Sequence, residues 1–278
     1  MQKKEKIAYI DAYCGVSGNM LLGALIDLGF PKTRLQSLKK TLGLPQIKIS
    51  ISKSEQNNLT GVLVKIRGEK NPPPRTLSQI LKIIRSARLP EPVKEKSIKA
   101  FQLLAEVEAK IHSCSPEQVH FHELGAVDTI MDIVGVILGF YELGVEKIYA
   151  SKIPLATGEV ECAHGKIPLP APATLELLKG VPIKGTDTEQ ELTTPTGAVL
   201  LKVLVREFGA IPEMSLEKIG YGLGEKNLAS QANLLRILLG KTYHPPEELF
   251  VFESTIDDMN PEYYQPLLER LFQAGALE

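Results

Sequence analysis

Residues 7–29 read IAYIDAYCGVSGNMLLGALIDLG. The run Ile7, Ala8, Tyr9 and Ile10 predicts a short buried strand. Gly15, Val16, Ser17 and Gly18 predict a tight turn. Residues 19–28 then carry apolar side chains at helical spacing up to Gly29, a residue suited to end a helix. The order strand, glycine turn, helix opens an α/β layer structure.

Outward from this stretch, residues 47–52 and 62–66 alternate apolar and polar around Gln56, Asn57 and Asn58, which predicts a hairpin. Residues 71–74, Asn-Pro-Pro-Pro, form a stiff spacer. Helices are expected over 77–85 and 92–111. A third, over 128–143, is almost wholly apolar after Asp132 and should pack centrally. Strands follow at 148–153 and 158–162, and a helix at 171–178 is stopped by Gly180. Thr193, Thr194 and Pro195 start a helix that should run through Glu207, with a threonine cap and proline in its first turn. The glycine run Gly220, Gly222, Gly224 precedes a strand at 233–239 and is read as a flexible loop or a place of close ligand approach.

Tyr243, His244, Pro245 and Pro246 form the best linker. Residues 249–256 then read as a strand and 261–274 as a helix, with 275–278 resembling the entry to a further strand. The expected fold class is α/β to α+β. A main domain over 1–243 has a mixed sheet with flanking helices, and residues 249–278 are the start of a small ferredoxin-like α+β domain that is cut off or completed by another chain.

Composition narrows the function. Apolar residues make up 44% and charged residues 23%, with a formal net charge of −1, so neither nucleic acid nor a membrane surface is an expected partner. The three cysteines, Cys14, Cys114 and Cys162, make no CxxC pair, and an odd count fits a reducing cytoplasm. The charged start of the chain does not read as a signal peptide, and no apolar run is long enough to span a bilayer.

Four groups of residues can carry metal or anion chemistry. The first is His120, His122, Glu123, Asp128 and Asp132. Alternation in extended backbone puts His120 and His122 on one side, and spacing of four puts Asp128 and Asp132 on one helix face. Imidazole and carboxylate together suit a divalent transition metal. Asp128 is also explained as a favourable charge at a helix start. Asp132, at the edge of a buried helix, needs a partner. The second is Asp11 with Ser17, Gly18 and Asn19, where a glycine turn before a helix presents N–H groups to a phosphate or carboxylate; a tight turn with Ser17 as cap is the plainer reading. The GxSxG elbow fails at Asn19 and no Walker lysine is present, which argues against a serine hydrolase or P-loop enzyme. The third is Cys162 with His164, a soft metal pair or a packed thiol beside a turn, and the fourth is Thr193, Thr194 and Thr196, an anion site or a helix cap.

The strings IDAYCGVSGNM at 10–20, HFHELGAVDTIMD at 120–132, CAHGKIPLPAPAT at 162–174, ELTTPTG at 191–197 and IDDM at 256–259 together resemble the nickel insertion proteins of the nickel-pincer cofactor pathway. The resemblance covers nearly the whole chain. It departs from the family's first motif at Ala12, where the motif has cysteine, and at Asn19, where it has aspartate. Cys14 lies close enough to substitute.

The resemblance implies a cytoplasmic nickel chelatase of the lyase class, a cyclometallase. Its substrate is a pyridinium mononucleotide with two thiocarboxylates. Ni2+ gains two sulfur bonds and one carbon bond, with hydrolysis of CTP in the presence of Mg2+ or Mn2+. It further implies that 1–243 is the nickel and apo-cofactor domain, that the CTP-associated region lies mainly C-terminal to this chain, so that the chain alone is inactive, that the protein is a homo-oligomer, and that lactate racemase-type apo-enzymes receive the product. Nickel would be held by the His120–Asp132 group with Cys162 and His164, the phosphate by Ser17, Gly18, Asn19, Thr193, Thr194 and Thr196, and the ring proton taken by Asp11 or Glu123. Two rival readings of the same cluster are a zinc-dependent hydrolase and a non-catalytic nickel chaperone or storage module.

Overall fold

The computed structural model describes residues 4–68, 74–121, 127–162, 165–228, 231–243 and 251–276, with backbone alone at 120 and 160–162. Two compact units divide the chain, Met1–His244 and Pro245–Glu278.

The first unit runs β1 (Lys6–Asp11), α1 (Gly18–Asp27), α2 (Lys32–Thr41), β2 (Lys48–Gln56), β3 (Leu59–Arg67), β4 (Arg75–Thr76), α3 (Leu77–Ser86), α4 (Glu91–His112), β5 (His120–Phe121) and α5 (Val127–Glu142). It continues with β6 (Lys147–Ala150), β7 (Ile153–Leu155), β8 (Glu159–Cys162), β9 (Gly165–Pro168), α6 (Pro172–Leu177), β10 (Ile183–Gly185), α7 (Pro195–Leu204), β11 (Glu207–Phe208), β12 (Met214–Leu223) and β13 (Leu234–Thr242). Seven strands make one mixed sheet in the order β11-β6-β1-β13-β12-β3-β2. β11, β6 and β1 are parallel, β13 runs against both β1 and β12, and β12 lies parallel to β3. The mixed sheet with flanking helices is therefore the observed architecture.

Helix α1 is the element that sets the site. Ser17 caps it, and Leu21, Leu22 and Leu25 are completely buried. Gly23, inside the helix, costs about 1 kcal/mol in propensity. Burying three leucines at roughly 2 kcal/mol each offsets that. The helix lies across β12 and β3 and against α5. α5 is buried along nearly its whole length, and at Gly135 and Gly139 it meets leucines of α1 and α2 and Phe30.

Two of the three glycines of the run near 220 belong to a strand packed under a helix rather than to a loop. Gly220 and Gly222 lie within β12, where a Cβ would stand 2.2 Å from the Ala24 carbonyl oxygen and 1.8 Å from that of Met20. They admit the backbone of α1 onto the sheet.

The hairpin of β2 and β3 turns on Asn57 and Asn58, both at positive φ (48° and 62°), the backbone that a two-residue hairpin turn requires. Two further local expectations need correction. The strand over 148–153 breaks at Ser151, whose hydroxyl accepts from the Ala12 N–H (3.0 Å), and β7 pairs instead with β10. The helix from Pro195 ends at Leu204. Beyond it, Arg206 and Gly209 donate backbone hydrogen bonds to β6, so Glu207 joins the sheet edge and satisfies its open carbonyls. Residues 32–41 form a helix that their apolar pattern, two buried leucines, did not signal.

In the second unit, residues 251–256 are not a strand: Val251 and Phe252 are 83% and 93% exposed, and no described segment pairs with them. A 3-10 turn, Pro261–Tyr263, leads into α8 (Tyr264–Gln273). The linker at 243–246 falls mostly outside the described residues, as does most of the 71–74 spacer. No described helix is long and apolar enough to cross a membrane.

Candidate functional site

The loop between β1 and α1 is held at several points. Asp11 faces Arg236 directly across the β1/β13 ladder, and its Oδ2 accepts from the arginine Nε (2.8 Å) and Nη2. Cys14 is buried with Ala156, Leu169, Leu192 and Leu228, and its Sγ accepts from Gln231 Nε2 at 3.3 Å. Burial pushes the thiol up to about 11, outweighing the field of Lys184 and the backbone N–H of Leu234. Cys14 is thus a packed neutral thiol at physiological pH, a poor metal ligand as it stands.

Gly15 has φ 91° and fits where a Cβ would lie 2.0 Å from the Leu192 carbonyl oxygen. Val16 N–H donates to that same oxygen (3.0 Å), and Thr194 N–H donates to the Val16 oxygen (3.0 Å). The glycine turn and the threonine segment, about 175 residues apart in sequence, are therefore stitched together, as the bridge between Val16 and Thr193 records.

This stitching uses several groups that the sequence offered to a phosphate. Ser17 Oγ accepts from Met20 N–H (3.4 Å) and donates to Asn19 Oδ1 (2.5 Å). Thr193 is buried and donates to the Pro154 oxygen (3.0 Å). Thr194 caps α7 by accepting from Gly197 N–H (3.1 Å). Thr196 is buried.

At the far end of the loop, Gly18 rests on Asp132 of α5: a Cβ at 18 would stand 2.5 Å from the Asp132 Cβ and Oδ2. Asp132 is half-buried as a residue, but its Oδ1 is sealed from solvent and has no hydrogen-bond partner among the described residues. Burial holds its carboxyl well above the usual range, and the charges of Asp128 and then Glu225 push in the same direction. Asp128 stands one turn earlier on α5 and accepts from Thr129 N–H (2.9 Å).

Glu225, just past β12, lies on the exposed rim of this group. It is bound by both guanidinium nitrogens of Arg67, one at 3.1 Å to Oε1, and by Asn19 Nδ2 at 3.4 Å. Asp128 also acts on Arg67. The result is a sealed carboxylate at the bottom, Asp128 beside it, and a glutamate–arginine pair at the rim.

Glu225, Arg67 and Arg236 were not singled out from the sequence. Glu225 follows the glycine run directly, and that position was the one available signal. Of the expected metal group, Asp128 and Asp132 come together. The backbone of His120 lies in β5 opposite Thr76, and Cys162 closes the β8/β9 hairpin opposite Gly165. His122, Glu123 and His164 lie outside the described residues. Among the described residues no group of three or more histidines, cysteines and carboxylates stands close enough to hold a metal ion.

The family model described as "Nickel insertion protein" matches residues 8–278. A pyridinium-3,5-bisthiocarboxylic acid mononucleotide nickel insertion protein of Desulfitobacterium hafniense (strain DSM 10664 / DCB-2) is 46% identical over 281 residues, covering 98% of this chain and 70% of that protein. A protein of the same description from Clostridium kluyveri is 44% identical over 288 residues, covering 98% and 72%. No solved structure matches the chain.

Proposed function

The chain belongs to the nickel insertion protein family, and from that premise we propose that it inserts Ni2+ into pyridinium-3,5-bisthiocarboxylic acid mononucleotide, with Asp132 as a nickel-holding carboxylate. The observation that carries this reading is the sealed Oδ1 of Asp132, without a partner among the described residues, beside a second aspartate. A buried carboxylate without a partner is costly, and an arriving divalent cation supplies the missing charge.

Carboxylates with imidazoles make a site that binds nickel yet releases it, which a transfer reaction needs more than a closed thiolate cage. Asp128 and Asp132 supply two oxygen donors. The residues just before α5, His120, His122 and Glu123, supply the rest. Insertion forms two nickel–sulfur bonds and one nickel–carbon bond, and the ring C–H proton leaves to a carboxylate. Asp11 is committed to Arg236, so the role of proton acceptor is assigned to Glu123. Hydrolysis of CTP with Mg2+ or Mn2+ accompanies the step, and lactate racemase-type enzymes take the product.

The test replaces His120 and His122 together with alanine and follows nickel binding by calorimetry. The variant should bind nickel far more weakly while keeping the wild-type thermal melt; unchanged affinity removes the site. Mixing the chain with apo-cofactor, nickel, CTP and Mg2+ or Mn2+, and following product absorbance, tests the reaction itself.

A further inference from the structure

A cavity of about 670 Å³ opens in the first unit between Tyr13, the segment 184–190, Leu228 and Gln231. Its volume is that of a small-molecule site. It shares two loops with the carboxylate group. Tyr13 lines the cavity and Gly18, five residues on, rests on Asp132. Glu225 sits on the carboxylate rim, and Leu228, three residues on, lines the cavity. Five residues of extended chain reach at most about 18 Å and three about 11 Å, so two independent loops tie cavity and carboxylates into one neighbourhood. Gln231, also in the wall, is fixed by its hydrogen bond to Cys14.

The lining is chemically mixed. Tyr13 presents a half-exposed phenol ring. Lys184 is the one cation among the described lining residues, and Asp187 and Glu189 are exposed carboxylates. A ligand that matches has an aromatic cation, a diol and one phosphate.

We propose that this cavity seats the pyridinium mononucleotide, with Tyr13 against the ring cation, Lys184 on the phosphate, and Asp187 or Glu189 on the ribose hydroxyls. The proposal rests on the nickel-insertion reading, because that reading supplies the ligand. Aromatic faces attract cationic rings, carboxylates accept from ribose diols, and a lysine binds phosphate as a point charge. The phosphate is thereby moved from the stitched turn at Ser17 and Thr194, whose hydroxyls serve the fold, to an exposed lysine.

Nicotinic acid mononucleotide is the probe, titrated calorimetrically into the metal-free full chain, with the riboside lacking phosphate and with AMP, whose ring is neutral, alongside. The mononucleotide should bind saturably, and both comparison compounds more weakly. Lys184→Ala should weaken the mononucleotide about tenfold, the size of a charge-assisted contact, and change riboside binding little. Tyr13→Ala should weaken mononucleotide and riboside alike, by about threefold to tenfold. Both side chains are solvent-exposed, so the variants should keep the wild-type melt.

No saturable binding, equal binding of AMP, or unchanged affinity in both variants would overturn the proposal. Because these titrations contain no metal, their failure leaves the nickel site standing, and failure of nickel binding leaves the cavity standing.

Discussion

Asp11 and Asp132 flank the same loop and are treated oppositely by the fold. Asp11 leaves β1 directly opposite Arg236, and a guanidinium takes its carboxylate from the side. Asp132 meets the other end of the loop at Gly18, where Oδ1 is sealed without a partner among the described residues and the charges of Asp128 and Glu225 act on it. One aspartate is finished as a structural ion pair. The other is left with a deficit of positive charge, at the cost of stability in the empty protein. Such a deficit at a defined point marks a place for a cation.

The sharpest way to break this contrast is to part the loop from Asp132. Gly18→Ala puts a Cβ 2.5 Å from Asp132, and neither helix can yield cheaply in a packed interior. Urea unfolding should show a loss of about 2–3 kcal/mol, the upper range for overpacking. A loss below about 0.5 kcal/mol, the scatter of ordinary surface changes, would mean that α1 and α5 are not locked there.

Neutralising the deficit should act with the opposite sign. Asp132→Asn in the metal-free protein should be more stable than wild type at neutral pH by about 1–2 kcal/mol, the scale of a relieved buried polar group. The pH dependence follows from the raised folded-state pKa. The native protein holds this proton more tightly than the unfolded chain, so the contribution is fully present below the ordinary value of 3.8 and is lost as pH rises through the raised value. Unfolding curves from pH 4 upward should show that fall in wild type and lack it in the variant.

The smallest effect belongs to the satisfied partner. Asp11→Asn breaks a pair whose side chains are 20% and 44% exposed. Solvent screening limits the loss to about 0.5–1 kcal/mol, less at high salt. A larger loss, in thermal melts at two ionic strengths, would show that Asp11 is more deeply coupled than Arg236 alone explains.

The two aspartates also show what can be read from sequence. α1 was legible because apolar spacing, Ser17 and Gly29 all agree, and the β2/β3 hairpin because two asparagines can take positive φ. Asp132 was legible as a carboxylate at the edge of an apolar helix. Its surroundings were not. Glu225 and Arg67 meet only because β12 and β3 lie side by side in parallel, and Arg236 reaches Asp11 across 225 residues. Local pattern carries no trace of such pairings. The same blindness made Gly220 and Gly222 look like loop residues, since the helix they admit lies some 200 positions away. It also made 249–256 look like a strand: alternation marks what can pair, and among the described residues no partner strand stands beside 251–256.

The contrast between the two aspartates comes down to whether Asp132 holds nickel. Calorimetric titration of Ni2+ into metal-free wild type and Asp132→Asn tests it most directly. The variant should bind at least about 100-fold more weakly, beyond the 10–100-fold typical of outer-shell changes. A folded variant with wild-type nickel affinity would contradict it.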